Sequence, residues 1–327
     1  MQEIDGLINK AIKEHNDGNL QEAKTLYEII LKQYPNHSRI NHNLGLIYDT
    51  FNKHNFALPF FKKALESDLK KEQFWISYIK ILYKKNFFIL SSFILNEAII
   101  LGFKSKDIQD LEKKLKIELN PKIKKIQSIT NEESSTLLDY FNTGNINNAQ
   151  KLAELILTIL PNHLLSLRIL GIINFTKNNL KKALDFFNTI TKYYPSDHEA
   201  YFNLGTIHKS FGNYDQSINF FNKAISLKNN YFEAFINLGN SLKILGKYDE
   251  AIEINKKAIS IKPQNYEGYI NLGTIYQELN SHDYAISNYK KSLLYKKDNH
   301  ESFFNLGISY RSIGKLSEAI KNFEKAI

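Results

Sequence analysis

The chain has 327 residues, of which 43% are hydrophobic and 24% charged, proportions that are ordinary for a soluble protein with a packed core. It contains no cysteine, which excludes disulfides and thiolate chemistry, and no apolar run approaches the roughly 20 residues needed to cross a bilayer. The first residues are acidic and polar, unlike a secretory signal, so we expect a cytoplasmic protein.

The net charge of +9 raises the question of an anionic partner, because basic proteins can bind the phosphates of nucleic acid or membrane. Most lysines, however, are spread singly over predicted helix surfaces. The densest basic run has no adjacent aromatic residue on which a base could stack, and it comprises Lys113, Lys114, Lys116, Lys122, Lys124 and Lys125. We therefore expect neither a nucleic-acid nor a membrane partner; binding through this run would weaken steeply with salt.

One short pattern recurs every 34 residues. It consists of Glu, a small residue, an aromatic, an apolar residue and Asn-Leu-Gly, and it occupies residues 199–205, 233–239, 267–273 and 301–307. A fixed period between 20 and 50 residues is typical of a solenoid built from stacked units.

The 34-residue register divides the chain into nine units with one interruption. The units are 4–37, 38–71, 72–105, 130–163, 164–197, 198–231, 232–265, 266–299 and 300–327, the last one incomplete. We therefore predict three N-terminal units over 1–105, of which the third is degenerate, a helical insert or linker over 106–129, and a C-terminal array of six units over 130–327. The insert is expected to be a charged helix, a bend at Asn120-Pro121 and further helix.

Each unit is predicted to form two helices. In unit seven, Phe235 and Leu242 belong to one helical face, and Ala251 and Ala258 belong to a second. Gly246 lies between them, where a tight turn with a positive φ is expected. A pair of helices cannot bury its apolar face alone, so neighbouring units must stack.

These positions carry a family resemblance. The order of Leu-Gly, Ala, an aromatic and Pro, as in Leu170-Gly171, Ala183, Phe187 and Pro195 of unit five, resembles the tetratricopeptide repeat over nearly the whole chain. The resemblance implies an all-α, right-handed α-solenoid of helix-turn-helix units. It also implies that the first helices line a concave groove, the second helices form the convex back, and the groove binds peptides or folded partners.

A column of asparagines is the feature that packing explains least. It lies two residues before the glycine position of the repeat, which is replaced in the first unit, and it is asparagine in six of the nine units: Asn9, Asn43, Asn203, Asn237, Asn271 and Asn305. Asparagine is a poor helix former, so its place in mid-helix needs a reason. Its amide can pair with both the N–H and the C=O of an extended peptide, which favours a peptide-binding groove; the alternative is that it bridges neighbouring helices.

A column of glutamates precedes the asparagines by four residues. It comprises Glu199, Glu233, Glu267 and Glu301, and the i, i+4 spacing places each on the same helical face as its asparagine. These carboxylates are candidates for the same groove. Equally, a glutamate in the first turn complements the helix dipole without any ligand.

The paired columns are similar to the repeat arm of protein O-linked N-acetylglucosamine transferases, in which an asparagine ladder holds substrate peptide. The sequence thus predicts a protein–protein interaction scaffold that binds extended peptide or a partner protein. The alternative is the substrate-recognition arm of a larger glycosyltransferase or sulfotransferase whose catalytic domain lies outside this chain. No catalytic, metal-binding or cofactor-binding motif is found in the sequence itself.

A heat-shock chaperone C-terminus is not expected as the partner. Repeat co-chaperones hold its two carboxylates with a clamp of cations, and neither set of corresponding positions carries the cations needed for that. Those positions are Arg168, Ile172, Asn203, Glu233 and Asn237 in one set and Ile8, Ile12, Asn43, Gln73 and Ser77 in the other.

Overall fold

The computed structural model describes residues 2–120, 126 and 128–327, and these residues form nineteen helices and no strand. The chain divides into two compact parts, residues 1–166 and 167–327. The first part contains α1 (Gln2–Asn16), α2 (Leu20–Gln33), α3 (Ser38–Thr50), α4 (His54–Ser67), α5 (Glu72–Lys84), α6 (Phe88–Ile100), α7 (Lys106–Glu118), α8 (Asn131–Asn142) and α9 (Ile146–Ile159). The second part contains α11 (Leu180–Tyr193), α12 (His198–Ser210), α13 (Tyr214–Leu227), α14 (Phe232–Ile244), α15 (Tyr248–Ile261), α16 (Tyr266–Glu278), α17 (His282–Tyr295), α18 (His300–Ser312) and α19 (Leu316–Ala326). The division falls inside α10 (Leu164–Thr176).

Unit seven shows how the repeat sequence determines its helix pair. Phe235 and Leu242 are buried on α14, and Ala251 and Ala258 are buried on α15, as the periodicity predicts. Gly246 separates the two helices with a φ of +70°. Glycine or asparagine occupies this left-handed turn position throughout the described array, because these residues tolerate it best. The positions are Gly18, Asn52, Asn86, Gly144, Asn178, Gly212, Gly246, Asn280 and Gly314.

The two helices of a unit approach most closely at the Leu-Gly glycine. A Cβ atom at Gly205 would lie 2.6 Å from the ring of Phe221, so only glycine lets the ring lie flat against α12. The same contact joins Gly45 to Phe61 and Gly273 to Tyr289. This aromatic is fully buried in each case and forms the centre of its unit.

Unit seven lacks that aromatic and has Asn255 in its place against Gly239. The Asn255 side chain is fully buried. Its Nδ2 donates to the carbonyl of Ala251 at 2.8 Å, but its Oδ1 has no hydrogen-bond partner in the part of the chain that the structure describes. An unpaired buried carbonyl costs free energy, so the contact of Asn255 with Gly239 is less favourable than the glycine–aromatic contact of the neighbouring units.

The insert begins as a regular first helix. α7 starts 34 residues after α5, has the same length of 13 residues, and contacts both α5 and α6, as α16 contacts α14 and α15. Residues 106–118 of the predicted insert thus form a charged helix. Pro121 and most of the further helix predicted after it lie outside the described residues, and residues 126 and 128–130 are not helical.

A buried carboxylate connects α8 to the helices before the insert. Glu133 is only 2% exposed, and its Oε1 accepts hydrogen bonds from the backbone N–H groups of Ile89 at 2.9 Å and Leu90 at 3.2 Å. Its Oε2 accepts from the backbone N–H and the hydroxyl of Thr130. Glu133 thus caps the first turn of α6 while it completes the capping box of its own helix.

The degenerate third unit still forms a helix pair, and its second helix is unusually apolar. α6 packs against α5, α7 and α9, and it buries the consecutive residues Phe93, Ile94 and Leu95, which point to different sides of the helix. A helix surrounded in this way needs apolar residues around most of its circumference. Among the helices of the described ranges, none combines the length and the apolar character required to cross a membrane.

Candidate functional site

The first helices of the last four units form one continuous layer. α12 contacts α14, α14 contacts α16, and α16 contacts α18, in addition to the contacts that each helix makes with the second helices. Side chains at equivalent positions of these four helices therefore form columns across the layer. The predicted groove residues of the C-terminal array belong to two such columns.

Four asparagines of the column lie on these helices, and all four are partly buried: Asn203, Asn237, Asn271 and Asn305. Nδ2 of Asn203 donates to the carbonyl of Glu199 at 2.8 Å, and Nδ2 of Asn237 donates to the carbonyl of Glu233 at 2.9 Å. This bond to the residue four positions earlier explains how a poor helix former is accommodated in mid-helix. It uses one of the two amide hydrogens and leaves Oδ1 to accept.

The four amides differ in what else they contact. Oδ1 of Asn237 accepts from Nζ of Lys209 at 2.6 Å, so this amide bridges two first helices. Asn271 has a buried Nδ2 without a hydrogen-bond partner among the described residues. The bridging role that the sequence left open is therefore present at Asn237, while Asn203 and Asn271 keep unused hydrogen-bonding capacity.

The two remaining asparagines of the column lie in the first compact part. Asn43 is partly buried on α3, and its Nδ2 donates to the hydroxyl of Tyr27 at 3.1 Å. Asn9 is exposed on α1. The structure thus brings four of the six predicted asparagines together on contiguous helices.

The glutamate column divides into paired and unpaired members. Glu199 forms a salt bridge with Arg168 at 2.9 Å, and Glu233 forms one with Lys262 at 2.7 Å. Burial raises the pKa of Glu233, but the hydrogen bond and charge of Lys262 outweigh it, and the pKa ends below its ordinary value. Glu267 and Glu301 are exposed and have no salt-bridge partner within the described ranges. Two of the four glutamates, Glu199 and Glu233, are therefore already paired with a cation of the array.

A third column, of cations, was missed by the sequence reasoning. Lys209 reaches Asn237 on the next first helix, and Nζ of Lys243 donates to the hydroxyl of Thr274 at 3.3 Å. Burial lowers the pKa of Lys209. Arg311 occupies the same position in unit nine. The 34-residue spacing of these cations was available in the sequence, but their contact with the asparagine column appears only in the structure.

Two other charged sets bear on the predicted partners. Arg168, the one cation in the chaperone-clamp positions of this part, forms salt bridges with Asp197 and Glu199. In the basic run, Lys116 is paired with Glu112 at 2.7 Å, whereas Lys122, Lys124 and Lys125 lie outside the described residues. The exclusion of a chaperone or nucleic-acid partner stays a prediction.

Comparison with known families identifies the class. Models of the tetratricopeptide repeat match residues 10–37, 38–71, 198–231, 232–265, 266–299 and 300–327, more than half of the chain. The chain belongs to the tetratricopeptide repeat family. It is an all-α repeat solenoid, as the sequence predicted.

Several solved structures resemble about half of this chain. The crystal structure of MamA protein is 26% identical, with a TM-score of 0.46 over 49% of this chain and 87% of its own. MamA from Desulfovibrio magneticus RS-1 is 19% identical, with a TM-score of 0.46 over 49% and 90%. YrrB, described as a tetratricopeptide repeat protein with an unusual peptide-binding site, is 19% identical, with a TM-score of 0.46 over 54% and 90%. No curated protein matches the sequence significantly.

Proposed function

We propose that the chain is a protein-interaction scaffold that holds an extended peptide against the layer formed by α12, α14, α16 and α18. The observation that supports this most is the repetition of one partly exposed amide at the same position of four contiguous helices. Amides in register can pair with the N–H and C=O groups of a peptide backbone, which have a fixed repeat of their own. We propose Asn9 and Asn43 as the matching positions of the first part.

The charges on either side of the amides support a directional groove. Glu267 and Glu301 present unpaired carboxylates in the first turns of α16 and α18. Lys209, Lys243 and Arg311 follow near the other ends of α12, α14 and α18. An extended peptide lying over the asparagines would have acidic groups along one edge and basic groups along the other, which favours one orientation of its side-chain charges.

The proposal is tested by changing Asn203, Asn237, Asn271 and Asn305 together to Ala. Peptides would first be selected from a random 12-residue display library against the unmodified chain, and their Kd values measured by fluorescence anisotropy. Each backbone hydrogen bond contributes about 1 kcal/mol net, so the fourfold variant should bind the selected peptides at least about tenfold more weakly.

The matched control removes four asparagines from the second helices. Asn188 and Asn219 are exposed, and the partly buried Asn288 and Asn322 make the same Nδ2 bond to the carbonyl four residues earlier, at 2.8 and 2.7 Å. Their replacement by Ala should leave peptide binding unchanged. Equal loss in both variants, or no loss in the first, contradicts the proposal.

The transferase arm is kept as the second candidate because the paired Glu and Asn columns favour it. In that case the peptide held in the groove is the substrate of a domain encoded beyond Ile327. Sequencing the coding region past that codon tests it, and a stop codon directly after Ile327 would contradict it.

A further inference from the structure

The surface of unit seven contains an open pocket of about 380 Å³ between α13, α14 and α15. Its floor is apolar and is formed by Ile218, Leu238, Leu242 and Ile254. Leu238 and Leu242 are almost completely buried below it, so the floor is a fixed part of the core. None of the lining residues belongs to the asparagine or glutamate columns.

The pocket exists because unit seven lacks a pair of rings that other units place there. In unit two, Tyr48 stacks on Phe60 with 5.5 Å between ring centroids, and in unit six, His208 stacks on Phe220 at 5.1 Å. Unit eight instead stacks Tyr276 on Tyr284 at 5.2 Å. Leu242 takes the place of the first ring of each pair.

The second ring of each pair is also missing from unit seven. The position of Tyr284 is taken by Glu250, and the position of Phe60 and Phe220 is taken by Ile254. The space that an aromatic pair fills in three other units is therefore half-filled here by smaller side chains, and an apolar floor is open to solvent.

The rim of the pocket is acidic. Asp249, Glu250 and Glu253 line it from the first two turns of α15, and all three are exposed. Glu253 is paired with Lys256 at 3.0 Å, whereas neither Asp249 nor Glu250 has a salt-bridge partner in the described part of the chain. On a chain of net charge +9, this is a local concentration of negative charge next to an apolar surface.

We propose that this pocket is a second docking site, which takes an aromatic side chain flanked by a lysine or arginine from a partner polypeptide. The ring replaces the missing member of the stacked pair and covers the leucine and isoleucine floor, where aromatic anchors contribute most of their binding free energy. The flanking cation lies against Asp249 and Glu250, which excludes acidic segments by repulsion. The site is independent of the proposed peptide groove, since it uses a different face of α14 and different residues.

The test uses two capped tetrapeptides, Gly-Phe-Lys-Gly and Gly-Phe-Glu-Gly, titrated into the full chain labelled at leucine and isoleucine methyl groups. The lysine peptide should cause saturable NMR shifts of the Ile218, Leu238 and Ile254 methyls. The glutamate peptide should bind about three- to tenfold more weakly at low salt, because it loses two exposed charge attractions.

A filled pocket provides the decisive variant. Leu242→Tyr with Glu250→Tyr recreates the stacked pair of unit eight, and it should abolish the shifts at Ile218 and Ile254 while the Tm stays equal or rises. Asp249→Asn with Glu250→Gln should remove the preference for the lysine peptide. The matched control is Asp283→Asn with Glu318→Gln, which removes two charges at equivalent positions of units eight and nine and should change nothing.

Unchanged shifts in the filled variant, or equal affinity for the two peptides in the unmodified chain, would overturn the proposal. Neither result bears on the asparagine column, whose fourfold variant leaves every residue of the pocket in place.

Discussion

At the scale of single residues, Glu133 stands out as the one buried carboxylate among the described residues of the first part. A buried carboxylate is stable only when hydrogen bonds replace its lost hydration, and Glu133 has four donors within 3.2 Å. Two of the donors belong to α6 and two to Thr130, on the other side of the insert. One side chain therefore holds together segments that are 40 residues apart in sequence.

We predict that Glu133→Ala lowers the free energy of unfolding by at least about 3 kcal/mol, because it leaves several buried donors unsatisfied. Urea denaturation followed by circular dichroism measures the change. Glu132→Ala is the control, since it removes a neighbouring charge from the first turn of α8 without a capping bond, and it should cost under about 1 kcal/mol. Similar losses in both variants would show that Glu133 acts only through its charge.

At the scale of the helix pair, the fit between the two helices of a unit depends on glycine facing an aromatic ring. Five units have this arrangement, and unit seven replaces the ring with Asn255. Because Gly239 is retained, the space that admits a ring is still available on α14. One substitution would therefore restore the glycine–aromatic contact of the other units at this position.

We predict that Asn255→Phe raises the free energy of unfolding by about 1–3 kcal/mol, since it buries a ring and removes a buried carbonyl that has no partner. Thermal and urea unfolding measure the gain. Adding Gly239→Ala should cancel it, because a Cβ at the equivalent Gly205 would lie 2.6 Å from the Phe221 ring. A destabilised single variant would contradict this account of the packing.

The helix pairs also show what the sequence could and could not predict. The 34-residue period defines both helices of unit seven and the left-handed turn at Gly246, since these follow from local periodicity and backbone sterics. The contact of Lys209 with Asn237 could not be predicted in the same way, because it depends on the separation of two helices from different units. The pocket of unit seven likewise could not be predicted, because only the structure shows that the rings at the equivalent positions of other units stack on each other.

At the scale of the whole molecule, stability is distributed along the chain. In the described ranges, the main helix contacts join units that are adjacent along the chain, so the total stability is approximately a sum of unit and interface terms. In the second compact part, the first helices α12, α14, α16 and α18 contact one another in sequence. Each second helix from α11 to α17 also contacts the next first helix, and the register is unbroken. This part of the chain therefore has the helix contacts needed to bury its own hydrophobic core.

We predict that a fragment of residues 164–327, which begins at the start of α10, folds on its own. Circular dichroism should show a helical fragment with a sigmoidal urea transition, and the m value should be roughly half that of the full chain because it scales with the surface exposed on unfolding. A fragment without a cooperative transition would show that this part depends on the first for its fold.

The position of α7 has a consequence for the ancestry of the chain. The segment 106–129 starts in the 34-residue register, with a first helix of regular length, and the next unit begins ten residues too early. The loss of ten codons from the second half of a duplicated repeat gene segment produces this spacing in a single event. A linear stack can survive such a deletion because only the adjacent interfaces change, and Glu133 joins the helices on the two sides of the shortened segment by its hydrogen bonds to α6.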